Sequence, residues 1–197
     1  MNLSTGSSPL PAPASAQGGR GHQISLGDTR LTLDRGGVRV AAWPDTTSMG
    51  TRIAALCDLA SPVVRLAGGA LISDLSLQDN LMLEPALQQG TVPAWLLPEI
   101  DTLFAQAGCA VDWPGWAGTL PADASEAAVM QVRAGRALVA DPDVLLLDAA
   151  QWNDACIPPL AFSRAFSSRY PWRMLVWATA DAARAACLRA CLEEFTA

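Results

Sequence analysis

Apolar and polar residues alternate at Ile24-Ser-Leu26 and again at Leu31-Thr-Leu33. That is the two-residue period of a half-buried strand, and Gly27 and Asp28 between the runs predict the turn of a hairpin. After a second turn signal at Arg35, Gly36 and Gly37, residues 38–43 read Val-Arg-Val-Ala-Ala-Trp, a further and more buried strand. Residues 44–50 read as a loop. Ile53, Leu56 and Leu59 then take helical spacing, predicting a helix over 51–59. A short β-branched run at 62–66, broken by Gly68 and Gly69, predicts a strand. Ser76 is a good N-cap with Asp79 in the following turn, so a helix is expected to about Gln89. Leu97, Ile100, Leu103 and Phe104 share one face of a second helix over 94–107. Residues 112–118 are rich in Trp, Pro and Gly and read as a loop. A long helix over 123–139 follows, capped by Asp123 or Ser125. The run Val144-Leu-Leu-Leu-Asp148 has the unbroken apolarity of a central parallel strand. A helix over 159–170, a second central strand over 172–178 and an amphipathic helix over 181–195 close the chain. Strands alternating with helices predict a three-layer α/β fold around a mainly parallel sheet.

Composition adds boundaries to this pattern. Residues 1–20 are mostly Ser, Pro, Ala, Gly and Gln. Such a segment buries too little apolar surface to offset its chain entropy, so residues 1–22 are expected to be a disordered tail. Residues 23–197 are then one α/β domain, with a helical insertion over about 76–139. No apolar run nears the roughly 18–20 residues that cross a bilayer. The N-terminus lacks the basic start and apolar middle of a secretory signal, so a cytoplasmic location is expected. The five cysteines, scattered through apolar segments, are expected to be reduced and buried. Cys187 and Cys191 have helical i, i+4 spacing, but with no His or Asp beside them no metal site is expected there.

A net charge of −6 argues against nucleic acid as a main partner, because a phosphate backbone needs a basic stripe. All 13 basic residues are arginine, spread along the chain with no lysine among them, and the one histidine is His22. Among the seven tryptophans, Trp95, Trp113 and Trp116 lie where Pro and Gly interrupt the pattern. They are the candidates for a contact surface, with Trp116 expected to be the more exposed of the last two because Gly115 and Gly118 flank it.

The strongest local signal is residues 133–148, Arg-Ala-Gly-Arg-Ala-Leu-Val-Ala-Asp-Pro-Asp-Val-Leu-Leu-Leu-Asp. It resembles the segment of ABC-type ATPase subunits that runs from the signature helix into the Walker B strand. Upstream, residues 71–81, Leu-Ile-Ser-Asp-Leu-Ser-Leu-Gln-Asp-Asn-Leu, resemble the family's segment after the Q-loop. Order and spacing match, and the likeness covers Ile24 to the C-terminus. It implies a P-loop, RecA-like mainly parallel sheet with a small helical subdomain and a reduced N-terminal β element. Within the family, residues 75–83 resemble lipid-trafficking ABC systems of Gram-negative envelopes.

The family's functional positions carry over one at a time, and most depart. The Walker A loop corresponds to residues 43–51, Trp-Pro-Asp-Thr-Thr-Ser-Met-Gly-Thr. Its phosphate-wrapping glycines are replaced by Trp43, Thr46 and Ser48, its lysine by Met49, and its magnesium-binding hydroxyl by Gly50, with Thr51 next along. Arg52 is close, but a guanidinium fork differs from a lysine point charge. The Q-loop glutamine falls at Ala67. The signature aligns with residues 124–128, Ala-Ser-Glu-Ala-Ala, which keep only the serine. Walker B keeps Asp148, while the catalytic glutamate becomes Ala149 and the switch histidine Ala180. The D-loop region, residues 151–154, is one residue out of register. Loss of a general base alone typically costs roughly 10²–10⁴-fold in rate.

Two functions follow from the resemblance. The first is a non-catalytic pseudo-ATPase that docks to a membrane permease or a partner ATPase subunit, peripheral to the membrane through that partner, with no catalytic residue, no metal and no cofactor. The alternative is an ATP-binding subunit in an asymmetric dimer that retains some nucleotide binding or hydrolysis. Ser48, Gly50, Thr51 and Asp148 would then be its ATP- and magnesium-facing positions. Against the alternative, Glu126 would set a carboxylate where a γ-phosphate must approach. The docking surface implied is residues 71–83 together with the region from Trp95 to Trp116.

Overall fold

The computed structural model describes residues 22–26, 29–33, 36–59 and 64–193. The expected tail and the turn at Gly27 and Asp28 lie outside these residues, although His22 is the first residue of a strand. Strands β1 (His22–Leu26) and β2 (Thr29–Leu33) pair antiparallel, with Ile24 opposite Leu31. The remaining strands, β3 (Val38–Ala42), β4 (Val64–Ala67), β5 (Val144–Asp148) and β6 (Met174–Thr179), form one parallel sheet in the order β3-β6-β5-β4.

Successive residues of a strand face opposite sides of its sheet. In β5 and β6 this alternation separates two cores. Leu145, Leu147, Leu175 and Trp177 enter the larger one, whereas Val144, Leu146, Met174 and Val176 enter the smaller. Both strands are buried on both faces, as their unbroken apolar runs require. Helix α1 (Thr46–Leu59) covers the smaller face with Met49 and Ile53. The larger face is covered by helices α2 (Leu77–Gln89), α3 (Leu96–Gln106), α4 (Trp113–Gly118), α5 (Glu126–Val139), α6 (Pro159–Arg169) and α7 (Ala182–Leu192). The result is three layers, with α2 to α5 inserted between β4 and β5.

Two expected loops are helical instead. Helix α1 begins at Thr46 and not at residue 51, so most of the expected loop is helix. Residues 113–118 form the short helix α4, because the Asp112 carboxylate caps it at Gly115 N and Pro114 is tolerated in a first turn. The cysteine expectation also needs correction. All five are free, but Cys57, Cys109 and Cys156 are half-buried and Cys187 and Cys191 are exposed.

Ser76 caps α2 as its sequence predicts, accepting from Asp79 N at 3.0 Å. Asn80 fastens the preceding loop to the same helix. Its side chain accepts from Ile72 N at 2.8 Å and donates to the carbonyls of Ile72, Leu75 and Ser76. Asn80 is 1% exposed, and these four bonds satisfy it.

Candidate functional site

Open parallel sheets bind ligands at the carboxyl ends of their strands. Here β3, β6 and β5 end side by side, with Ala42 opposite Thr179 and Asp148 opposite Ala178. Beyond them Trp43 N donates to Thr179 O at 2.9 Å and Ala149 N to Ala178 O at 2.8 Å. The first turn of α1 and the turn after β5 therefore flank one edge, with β6 between them.

Three residues, Trp43, Pro44 and Asp45, connect β3 to α1. Asp45 ends that connection as an acidic cap. Its Oδ1 accepts from Ser48 N and its Oδ2 from Ser48 Oγ, each at 2.8 Å, and its carbonyl accepts from Met49 N at 3.0 Å. The Ser48 amide, then the Ser48 hydroxyl, with the Thr47 amide adding to them, hold the Asp45 carboxyl below its usual range against a small opposing effect of desolvation. A helix N-terminus is an anion site by virtue of its free amides and dipole. In this chain the anion is a side chain of the same loop.

The Walker-like positions fall around this cap. Met49, where the lysine would be, is 6% exposed and packs in the smaller core beside Ile53, Val64 and Val176. Ser48 uses both its amide and its hydroxyl on Asp45. Gly50 and Thr51 are exposed on α1, and a side chain added at Gly50 would meet nothing within 4 Å. Asp148 closes its own turn, accepting from Ala150 N and Gln151 Nε2 at 2.9 Å each. Ala149 is buried, and Ala180 is half-buried against the smaller core. Ala67, at the Q-loop position, is the buried last residue of β4.

A second constellation lies at the start of α5. Ser125 caps that helix by accepting from Ala128 N at 3.2 Å. Glu126 accepts from Asn153 Nδ2, tying the helix to the loop after β5. Arg184, on the first turn of α7, grips Asp154 with both terminal nitrogens. Together these elements wall a cleft of about 540 Å³ that Arg133, Met130 and Trp152 also line. Sequence reasoning missed Asp45, Arg133 and the Arg184–Asp154 pair. For Asp45 a signal existed, since Asp is a favoured N-cap residue whose carboxylate accepts from the amide three residues on.

The three tryptophans do not form one patch. Trp116 is 3% exposed and belongs to the larger core, which overturns the expectation that it is the more exposed. The helical turn of α4 points it inward, and Trp113 lies edge-on to it with ring centres 5.1 Å apart. Trp113 is half-buried and lines a shallow groove of about 340 Å³ with Gln78, Leu97, Pro98 and Asp101. Trp95 is 38% exposed at the start of α3, lining a separate small pocket with Glu99, Tyr170 and Arg173. Apolar exposure near the start of α2 comes instead from Ile72 at 44% and Leu120 at 40%. Asn80 holds Ile72 there, and Thr119, next to Leu120, accepts from Leu77 N at 2.9 Å.

No protein-family profile and no curated protein matches the sequence. Solved structures do match the fold. An ATP-binding subunit of an ABC transporter superposes with a TM-score of 0.57 at 13% identity, covering 83% of this chain and 76% of that one. The dimeric bacterial ABC transporter cassette MJ0796 gives 0.55 at 13% identity, covering 85% and 88%. CbiO1 from Clostridium perfringens, part of the ABC transporter complex cbiONQ, gives 0.50 at 13% identity, covering 82% and 77%. The chain therefore has the P-loop fold of ABC transporter ATP-binding subunits. Among the described residues no helix is long and apolar enough to cross a membrane.

Proposed function

We propose that this chain is a non-catalytic ABC-ATPase-like subunit that docks to a membrane permease or a partner ATPase at the inner face of a membrane. The observation that carries the reading is the Asp45 cap. Its carboxylate takes the amide and hydroxyl of Ser48 at the helix end where a phosphate would need them. A nucleotide phosphate would meet that carboxylate as a like charge. The residues around it fit ATP and magnesium poorly for further reasons. Met49 is in the core, the chain has no lysine, and both Asp148 oxygens are engaged in their own turn.

The docking role draws on the exposed apolar face at the start of α2, where Ile72, Leu120 and the Trp113 groove lie. Ile72 and Trp113 belong to the surface that the ABC resemblance assigns to a membrane partner, and Leu120 adjoins it. Aromatic and aliphatic anchors in shallow grooves are the usual energetic centres of such contacts.

Two assays on the purified chain test the reading. Calorimetric titration with Mg-ATP is expected to show no micromolar binding, and steady-state phosphate release is expected to stay at background. Micromolar affinity, or turnover near about 1 s⁻¹ as ordinary enzymes show, would refute it.

A further inference from the structure

Helix α5 presents Glu126, Val129, Met130 and Arg133 to the cleft of about 540 Å³, and residues 150–154 with Arg184 form its other walls. The size is that of a small-molecule site, for which about 300–1,000 Å³ is typical. Most of its polar groups are already engaged. Arg184 is held by Asp154 through both terminal nitrogens. Asn153 donates to Glu126, and Gln151 donates to Asp148. Arg133 is different. Its Nε is buried without a hydrogen-bond partner, and its guanidinium makes no hydrogen bond or ion pair with any described residue. A buried unpaired donor on a permanent cation is costly and calls for an acceptor.

We propose that this cleft binds a small organic carboxylate whose head group pairs with Arg133. The guanidinium fork matches a carboxylate in two parallel bonds. Among the described residues lining the cleft, Arg133 is the one uncommitted cation, which favours a single negative charge over a doubly charged phosphate. Glu126 is seven residues away along α5, about 10 Å of helix rise. At physiological salt its repulsion of the head group is largely screened over that span. Val129, Met130 and the Trp152 ring give the ligand's body an apolar wall. Trp152 Nε1 already donates to Ile157 O at 2.7 Å, so the ring offers its hydrocarbon surface and no free donor. The proposal does not depend on the docking reading, because it rests on Arg133 and its cleft and not on the Asp45 cap.

Titration of the full chain with benzoate, followed by NMR at the Arg133 Nε–Hε resonance, tests it. Loss of one signal in Arg133→Gln assigns the resonance. The expected result is a saturable shift with a dissociation constant below about 1 mM. Acetate, which has the head group without the body, should bind at least about tenfold more weakly, and Arg133→Gln should weaken benzoate by a similar factor. Ala150→Trp, at an exposed lining position, should block the cleft while leaving Arg133 in place, and it decides the matter if Arg133→Gln fails to fold. No saturable shift with benzoate, unchanged affinity in Ala150→Trp or in a folded Arg133→Gln, or tighter binding of phenyl phosphate than of benzoate would each overturn the proposal.

Discussion

The Asp45 carboxylate closes on Ser48 twice, taking its amide with one oxygen and its hydroxyl with the other at 2.8 Å each. The pair converts the strand-to-helix connection of a phosphate-binding fold into a self-capped helix start. Asp45→Ala is expected to lower the thermal midpoint, and Asp45→Ser, which restores a capping oxygen, to recover part of the loss. Neither variant should gain nucleotide affinity, because Met49 stays in the core. The Asp45 carboxyl titrates below its ordinary 3.8. Its contribution is therefore complete above that value and is lost as pH falls through the lower folded value. The midpoint difference between wild type and Asp45→Ala should vanish in that acid range, as circular dichroism melts would show.

Gly36 takes φ +72° at the entry to β3, and a Cβ there would come within 2.3 Å of the Pro171 carbonyl oxygen. Backbone cannot swing aside as a side chain can. Gly36→Ala is expected to destabilise the domain by more than about 1 kcal/mol, the size of the left-handed backbone penalty alone. Urea unfolding would measure it, with Gly50→Ala, at an open helical position, as the variant expected to hold or gain stability.

Glu99 on α3 faces Arg169 on α6, which binds both carboxylate oxygens, with Nε donating at 2.7 Å. Burial pushes the Glu99 carboxyl up, but the Arg169 hydrogen bonds, Tyr170 and the charges of Arg169 and Arg173 outweigh it and leave it below the ordinary 4.5. Stability from this pair is thus present above pH 4.5 and is lost as pH falls through the lower folded value. Glu99→Ala should cost about 3 kcal/mol at neutral pH, the low end for breaking a buried ion pair. Chemical denaturation at pH 7 and at pH 3 checks both halves: the penalty should shrink at the lower value.

The sheet and most helices were legible because their signals are local. The unbroken apolar runs at 144–147 and 174–178 had to be strands buried on both faces, Ser76 is a cap in sequence as in structure, and of the two caps open for the long helix, Asp123 and Ser125, the structure uses Ser125. The start of α1 was misplaced because its apolar periodicity begins only at Ile53, while the signal for its first turn is Asp45, a favoured N-cap residue just before Thr46. Trp116 was misjudged for a related reason. Small flanking glycines say nothing about what packs over a ring, and the Asp112 cap that turns residues 113–118 into a helix buries it. The cleft at Arg133 was not readable at all, since it depends on the loop after β5 and the start of α7 both meeting α5, and Arg184 is 51 residues along the chain from Arg133 (184 − 133).

The buried and exposed parts of the helical insertion should separate cleanly under mutation. Trp116 is in the larger core with Trp113 against its edge, so Trp116→Ala should cost about 3–5 kcal/mol, as large-to-small core changes do. Such a loss would remove binding of any partner simply by unfolding the domain and says nothing about an interface. Ile72→Asp and Leu120→Asp are the informative changes, because both side chains face solvent at the start of α2. Each should shift stability by no more than about 0.5 kcal/mol, the usual range for surface substitutions. If this face docks to a membrane partner, the double variant should move from the membrane fraction to the soluble fraction of its own cells while its thermal midpoint stays within a few degrees of wild type. Retention on membranes with a folded double variant would exclude this face as the docking surface, because two buried carboxylates at an apolar contact are too costly to be accommodated without loss of binding.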